Sequence, residues 1–164
     1  MRRVLFWLVI AATGMVYLAM LLWSLPKITG MAGGLPPFDL RPLGYTPDEA
    51  RAFLAALSAP GRVFYQTVQH RLDLAFPGLL ALSLSLAYSR LAPRRLAQAL
   101  TAIVIAAACL DWAENAAVAR LLGTAAPEDA AILVASRLTV MKSLCAAVGI
   151  AALLGLLVRK VWRG

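Results

Sequence analysis

The chain has 164 residues, 62% of them hydrophobic, and carries 16 lysines and arginines against 8 acids for a formal net charge of +8. A soluble domain is about 45–50% apolar, so this composition, with a mean hydropathy of +0.78, excludes an ordinary water-soluble fold. The distribution of charge also argues against a nucleic-acid partner: Arg2, Arg3, Arg90, Arg94, Arg95, Arg159, Lys160 and Arg163 gather at one set of segment ends, while the other basic residues are balanced by the acids.

Four apolar stretches, 4–25, 72–91, 96–119 and 132–158, approach or exceed the ~20 residues that cross a hydrocarbon core of ~30 Å. They predict an all-α fold, a single integral domain over 1–164, built as a four-transmembrane-helix bundle with the lipid bilayer as its solvent. Lysine and arginine mark the cytoplasmic side of a membrane protein. Both termini are therefore expected in the cytoplasm.

The first stretch is longer than the roughly 7–15 apolar residues of a secretory signal and lacks an Ala-x-Ala-like cleavage site, so it reads as an uncleaved anchor ending at Pro26. Residues 26–71 read as one extracytoplasmic loop. Within it, Thr46, Pro47 and Glu49 have the residue types and spacing of an N-cap, first helical position and capping box. Ala50, Phe53, Leu54 and Leu57 then share a face. The expected element is a short amphipathic lid helix over 47–58, stopped by "APG" at 59–61.

The second transmembrane helix carries a polar stripe: Gln66, Gln69 or His70, and Asp73, with Pro77 expected to bend the rod. The third places Asp111, Glu114 and Asn115 on one face, at three- and four-residue spacing. Asp111 comes about 24 Å along the helix from Arg95, in the outer leaflet. The fourth opens at Pro127, Glu128 and Asp129, acids that suit the positive end of a helix dipole. Lys142 lies about 26 Å from Arg159, at the depth of Asp111, with Arg137 further out. Ser136, Thr139 and Ser143 add hydroxyls along the same helix. Cys109 and Cys145 lie inside spans and read as small apolar fillers.

A charge inside a bilayer costs about 2.5–3.5 kcal/mol unless partnered. Matching depths therefore predict one buried outer-leaflet cluster of Asp73, Asp111, Glu114, Asn115, Arg137 and Lys142, with His70 above. Intramembrane ionisable groups tend to mark ligand or ion paths. The preferred expectation is a site that binds or conveys a small polar or lipidic ligand. A metal-assisted membrane enzyme is the second reading, since three carboxylates could hold a hard cation and His70 could serve as a base. The two bases nearby compete for those carboxylates, no metal site is assigned, and no HExxH or GxSxG motif names a reaction or a cofactor. A structural or partner subunit of a membrane complex is the third, because polar groups also bind helices together.

Four segments, "FDLRPLGYTPDEARAFLAAL" (38–57), "GRVFYQ" (61–66), "LDLAFP" (72–77) and "DWAEN" (111–115), resemble a group of bacterial four-helix integral membrane proteins without an assigned activity. The resemblance covers residues 38–115. It implies an inner-membrane protein with Asp73, Asp111, Glu114 and Asn115 as hallmark positions, and it supplies no substrate.

Overall fold

The computed structural model describes residues 2–163, and these form five helices and no strand. Four helices are long and apolar enough to cross a membrane: α1 (Arg3–Met31), α3 (Ala59–Leu91), α4 (Arg94–Gly123) and α5 (Asp129–Arg163). The short helix α2 (Pro47–Ala56) lies between the first two. Helices α3, α4 and α5 pack against one another, and α1 leans mainly on α3.

Two expected boundaries move, each for a local reason. Pro26 does not end α1. Its ring crowds the carbonyl four residues back, at Leu22, and the chain there opens into a wide π-turn over Met20–Ser24. Helix then resumes over Leu25–Met31. Gly33 and Gly34, at φ 63° and 89°, end it in the left-handed region, where the Gly34 amide donates to the Thr29 carbonyl at 2.9 Å. The "APG" triplet likewise opens α3 instead of stopping the lid: the Ser58 hydroxyl accepts from the Gly61 amide at 3.2 Å, and Pro60 sits in the first turn. The connecting segment is thus shorter than 26–71, and α3 starts well before Leu72.

The lid forms as its cap predicts, ending at Ala56. The Thr46 amide donates to Glu49 Oε2 at 2.7 Å, and the Glu49 amide donates back to Thr46 Oγ1 at 3.3 Å. Ala50, Phe53 and Leu54 are buried. Phe53 packs edge-on against Phe38, with ring centroids 5.0 Å apart, and Phe38 against Tyr45 at 4.7 Å. This aromatic plug sits on Ile28, Tyr65, Val118, Leu121 and Ile132, closing one end of the bundle. Burying a phenylalanine there stabilises by about 1.5–3 kcal/mol.

A second core, at the other end, gathers Leu84, Tyr88, Leu100, Val104 and Leu156. Tyr88 is fully buried and donates to the Gly149 carbonyl at 2.7 Å. A Cβ at Gly149 would stand 2.6 Å from Val104 Cγ1, so glycine is what lets α5 approach α4 so closely. Between the two apolar cores lies the polar layer.

Candidate functional site

Lys142 of α5 reaches across to α4 and pairs with Asp111 Oδ1 at 2.9 Å and Glu114 Oε2 at 2.8 Å. Glu114 is fully buried, and its other oxygen accepts from Thr139 Oγ1 at 2.8 Å. A buried carboxylate is tolerable only when its lone pairs are engaged; here one helix face supplies the cation and the hydroxyl together. Asp111 and Glu114 are three residues apart on α4, as are Thr139 and Lys142 on α5, so two adjacent turns meet two adjacent turns.

Asp73 of α3 joins through neutral groups. Gln69, one turn back and fully buried, donates from Nε2 to Asp73 Oδ1 at 2.8 Å, and Ser24 of α1 donates to Gln69 Oε1 at 2.5 Å. Asp73 Oδ2 makes no hydrogen bond among the described residues.

The "LDLAFP" and "DWAEN" segments fit each other through the backbone. Pro77 has no N–H, so the Asp73 carbonyl four residues back loses its helical donor. Asn115 replaces it, donating from Nδ2 to that carbonyl at 3.0 Å. Trp112 donates from Nε1 to the next carbonyl, Leu74, at 3.0 Å. Asn115 is therefore a brace for the proline-interrupted turn, while Asp111 and Glu114 take the lysine.

Two expected members stand apart. Arg137 is exposed and forms no ion pair or hydrogen bond among the described residues. It lies five residues before Lys142, about 140° round the helix, so height alone could not bring it in. His70 is half-buried and forms no hydrogen bond among the described residues. Gln69, the other residue the stripe offered, takes the inward position, one α-helical turn before Asp73 and at the end of a π-turn over Tyr65–Gln69.

One member was missing from the expected set. Asp39, in the short 3-10 turn Phe38–Leu40, accepts a hydrogen bond at Oδ2 from the Tyr65 hydroxyl. Its segment is rich in glycine and proline, and in such a loop no periodicity tells an inward residue from an outward one. Asp39 and Leu40 overhang a cavity of about 240 Å³ lined by Asp73, Asp111 and Lys142, with Tyr17, Leu21 and Phe76 among its apolar walls. Three of the four segments thus meet at this space through Asp39, Asp73 and Asp111, and the fourth joins through Tyr65, which holds Asp39.

Tyr45 approaches the same layer from the loop. Its amide donates to Ser136 Oγ at 2.8 Å, and its buried hydroxyl has no hydrogen-bond partner among the described residues. Burial pushes that phenol well above its usual range, and the nearby Glu114 charge pushes it the same way. It stays a neutral donor. The chain approaches Ser136 closely at Gly44, whose φ of 87° suits glycine and where a Cβ would come within 2.7 Å of Ser136 Oγ.

No group of three or more histidine, cysteine, aspartate or glutamate side chains among the described residues is arranged to hold a metal ion. The carboxylates here turn to Lys142, Thr139, Gln69 and Tyr65 instead. No protein-family description, curated protein or solved structure matches this chain.

Proposed function

We propose that the chain is a multi-pass protein of a bacterial inner membrane, with both termini cytoplasmic, that binds or conveys a small polar or lipidic ligand in the cavity beneath its lid. The observation that carries this reading is the cavity itself: about 240 Å³ of space bordered by Asp39, Asp73, Asp111 and Lys142 between apolar helices. Charged groups within spanning segments are expensive, and a purely structural network has no need to leave them facing open volume. The orientation rests on the basic residues at the ends of α3, α4 and α5 remote from the lid. In that orientation the cavity lies in the outer half of the bilayer and opens beneath the extracytoplasmic loop.

Native mass spectrometry of the protein extracted from membranes tests this. The expected spectrum carries an added small-molecule mass that disappears when Leu40→Trp fills the cavity mouth. A wild-type protein that sprays without any adduct, from several mild detergents, overturns the reading.

A structural role is the second reading, favoured by the completeness of the Glu114–Thr139–Lys142 bonding, which needs no ligand. On that reading, Asp39→Asn alters stability alone, and no small molecule accompanies the protein. The metal-assisted alternative has no ligand grouping in its favour among the described residues.

A further inference from the structure

The binding reading leaves the ligand class open, and the charge pattern narrows it. Lys142 is shared by Asp111 and Glu114. Asp39 and Asp73, which also border the cavity, have only the neutral donors Tyr65 and Gln69. Four carboxylates thus face one cation, and the two without an ion-pair partner lie on the cavity side. Asp73 is 5% exposed, and its Oδ2 is unbonded among the described residues. A buried carboxylate in apolar surroundings is held either as the neutral acid or by a positive counterpart, and an open cavity beside it has room for the second.

The walls say what kind. Tyr17 and Phe76 stack with centroids 5.8 Å apart and both line the cavity. Ring faces beside carboxylates attract organic ammonium groups, through the ring quadrupole and the charge together. A second cavity of about 160 Å³ shares Phe76, Pro77, Asp111 and Lys142 with the first and extends away from the lid. Its remaining walls are apolar apart from Ser143, half of them the small residues Ala81, Ala107, Ala108 and Ala146. Beyond the Lys142–Asp111 pair such a slot suits an alkyl chain better than a hydrated ion.

We infer that the ligand is an amphipathic organic cation, its ammonium head held between Asp39, Asp73 and the Tyr17–Phe76 rings, and its alkyl tail laid in the slot beyond the Lys142–Asp111 pair. This rests on the binding reading above and specifies its ligand. The distinct features are the surplus of carboxylate on the cavity side and the apolar extension, and each is tested separately.

The experiment measures saturable binding of radiolabelled dodecyltrimethylammonium to the full chain in phosphatidylcholine nanodiscs, with protein-free discs subtracted. Tetramethylammonium serves as the head alone and dodecyl sulfate as the same tail with the opposite charge. Wild type is expected to bind the long ammonium saturably, and Asp73→Asn or Asp39→Asn to weaken it about tenfold through loss of a charge-assisted contact. Ala146→Leu, which narrows the slot, should weaken the long probe and leave tetramethylammonium unaffected. Asp39 sits in the loop, so its variant keeps the question open to test if Asp73→Asn fails to fold. Dodecyl sulfate binding as well as the ammonium, and blocked by Ala146→Leu, would overturn the cationic class while sparing the cavity as a binding site. Absence of saturable binding by every probe would overturn this inference and count against the binding reading as well.

Discussion

Lys142 holds two carboxylates at once, so its removal is felt twice. Lys142→Met leaves Asp111 and Glu114 facing each other without a cation and should destabilise by about 3–5 kcal/mol. Adding Asp111→Asn and Glu114→Gln should recover much of that loss in thermal unfolding of the detergent-solubilised protein. Unchanged melting of the single variant would show that the lysine does not carry the layer. Asn115 makes a different kind of prediction, because it serves a carbonyl that proline has stranded. Asn115→Ala should cost about 1–3 kcal/mol, the penalty for an unsatisfied buried acceptor. In a Pro77→Ala background residue 77 regains its N–H, and the cost of Asn115→Ala should shrink. A double-mutant cycle reads that coupling directly, and additive effects would exclude the brace. These residues differ in how far the sequence revealed them. Asp111, Glu114 and Lys142 could be placed at one height by counting from basic ends. Arg137 passed the same height criterion, but angle around the helix decides contact, and a residue 140° away cannot share a partner. Asn115 was legible as a site position and not as a brace, since that role depends on the carbonyl Pro77 leaves free.

At the level of elements, capping chemistry proved the more readable signal and helix continuity the less readable. Thr46, Pro47 and Glu49 specify the lid start through short-range bonds that any sequence displays. Thr46→Ala should weaken the lid by about 1 kcal/mol, seen as faster amide exchange across Pro47–Ala56. The Glu49 carboxyl is held below its ordinary range, first by the bond from the Thr46 amide and then by the Thr46 hydroxyl. A depressed folded-state value means the contribution is present above the ordinary carboxylate range and is lost as pH falls through the folded value. The lid's protection factors, with the intrinsic pH dependence of amide exchange divided out, should therefore fall on acidification, and Glu49→Gln should flatten that response. The π-turns at Met20–Ser24 and Tyr65–Gln69 were illegible for the converse reason. No local residue pattern marks where a helix widens by one residue, and each such turn changes the angle between the residues on its two sides. Between Gln69 and His70 the spacing left the inward position open, and the Gln69–Asp73 bond fills it with Gln69.

At the scale of the molecule, the number and order of long apolar helices followed from composition, because a run of apolar residues needs no partner to be recognised. The pairing of helices did not, since it turns on points such as Gly149. Gly149→Val should force α5 away from α4 and lower the melting temperature sharply, because the Val104 contact leaves no room for a side chain. The proposed orientation has its own test. With Cys109 and Cys145 replaced by alanine, a single cysteine at Ala125 should react with an impermeant maleimide added outside cells. One at Ala92 should react only after lysis, and the opposite pattern reverses the topology. The placement of α1 has a consequence for traffic into the protein. Besides apolar packing and the cation–π contacts of Lys27 over Phe64 and Arg90 over Phe6, the side-chain hydrogen bonds that fasten it to α3 among the described residues are these: the Thr13 hydroxyl reaches Ser83 Oγ at 2.7 Å and the Leu79 carbonyl at 3.2 Å, and Ser24 reaches Gln69. Each such bond is worth about 0.5–1.5 kcal/mol net, small beside the lysine-centred tie that joins α4 to α5. On the proposed binding reading, the first rod is a door leaf hinged along one neighbour, and its edge towards α5 is the side from which a guest would enter.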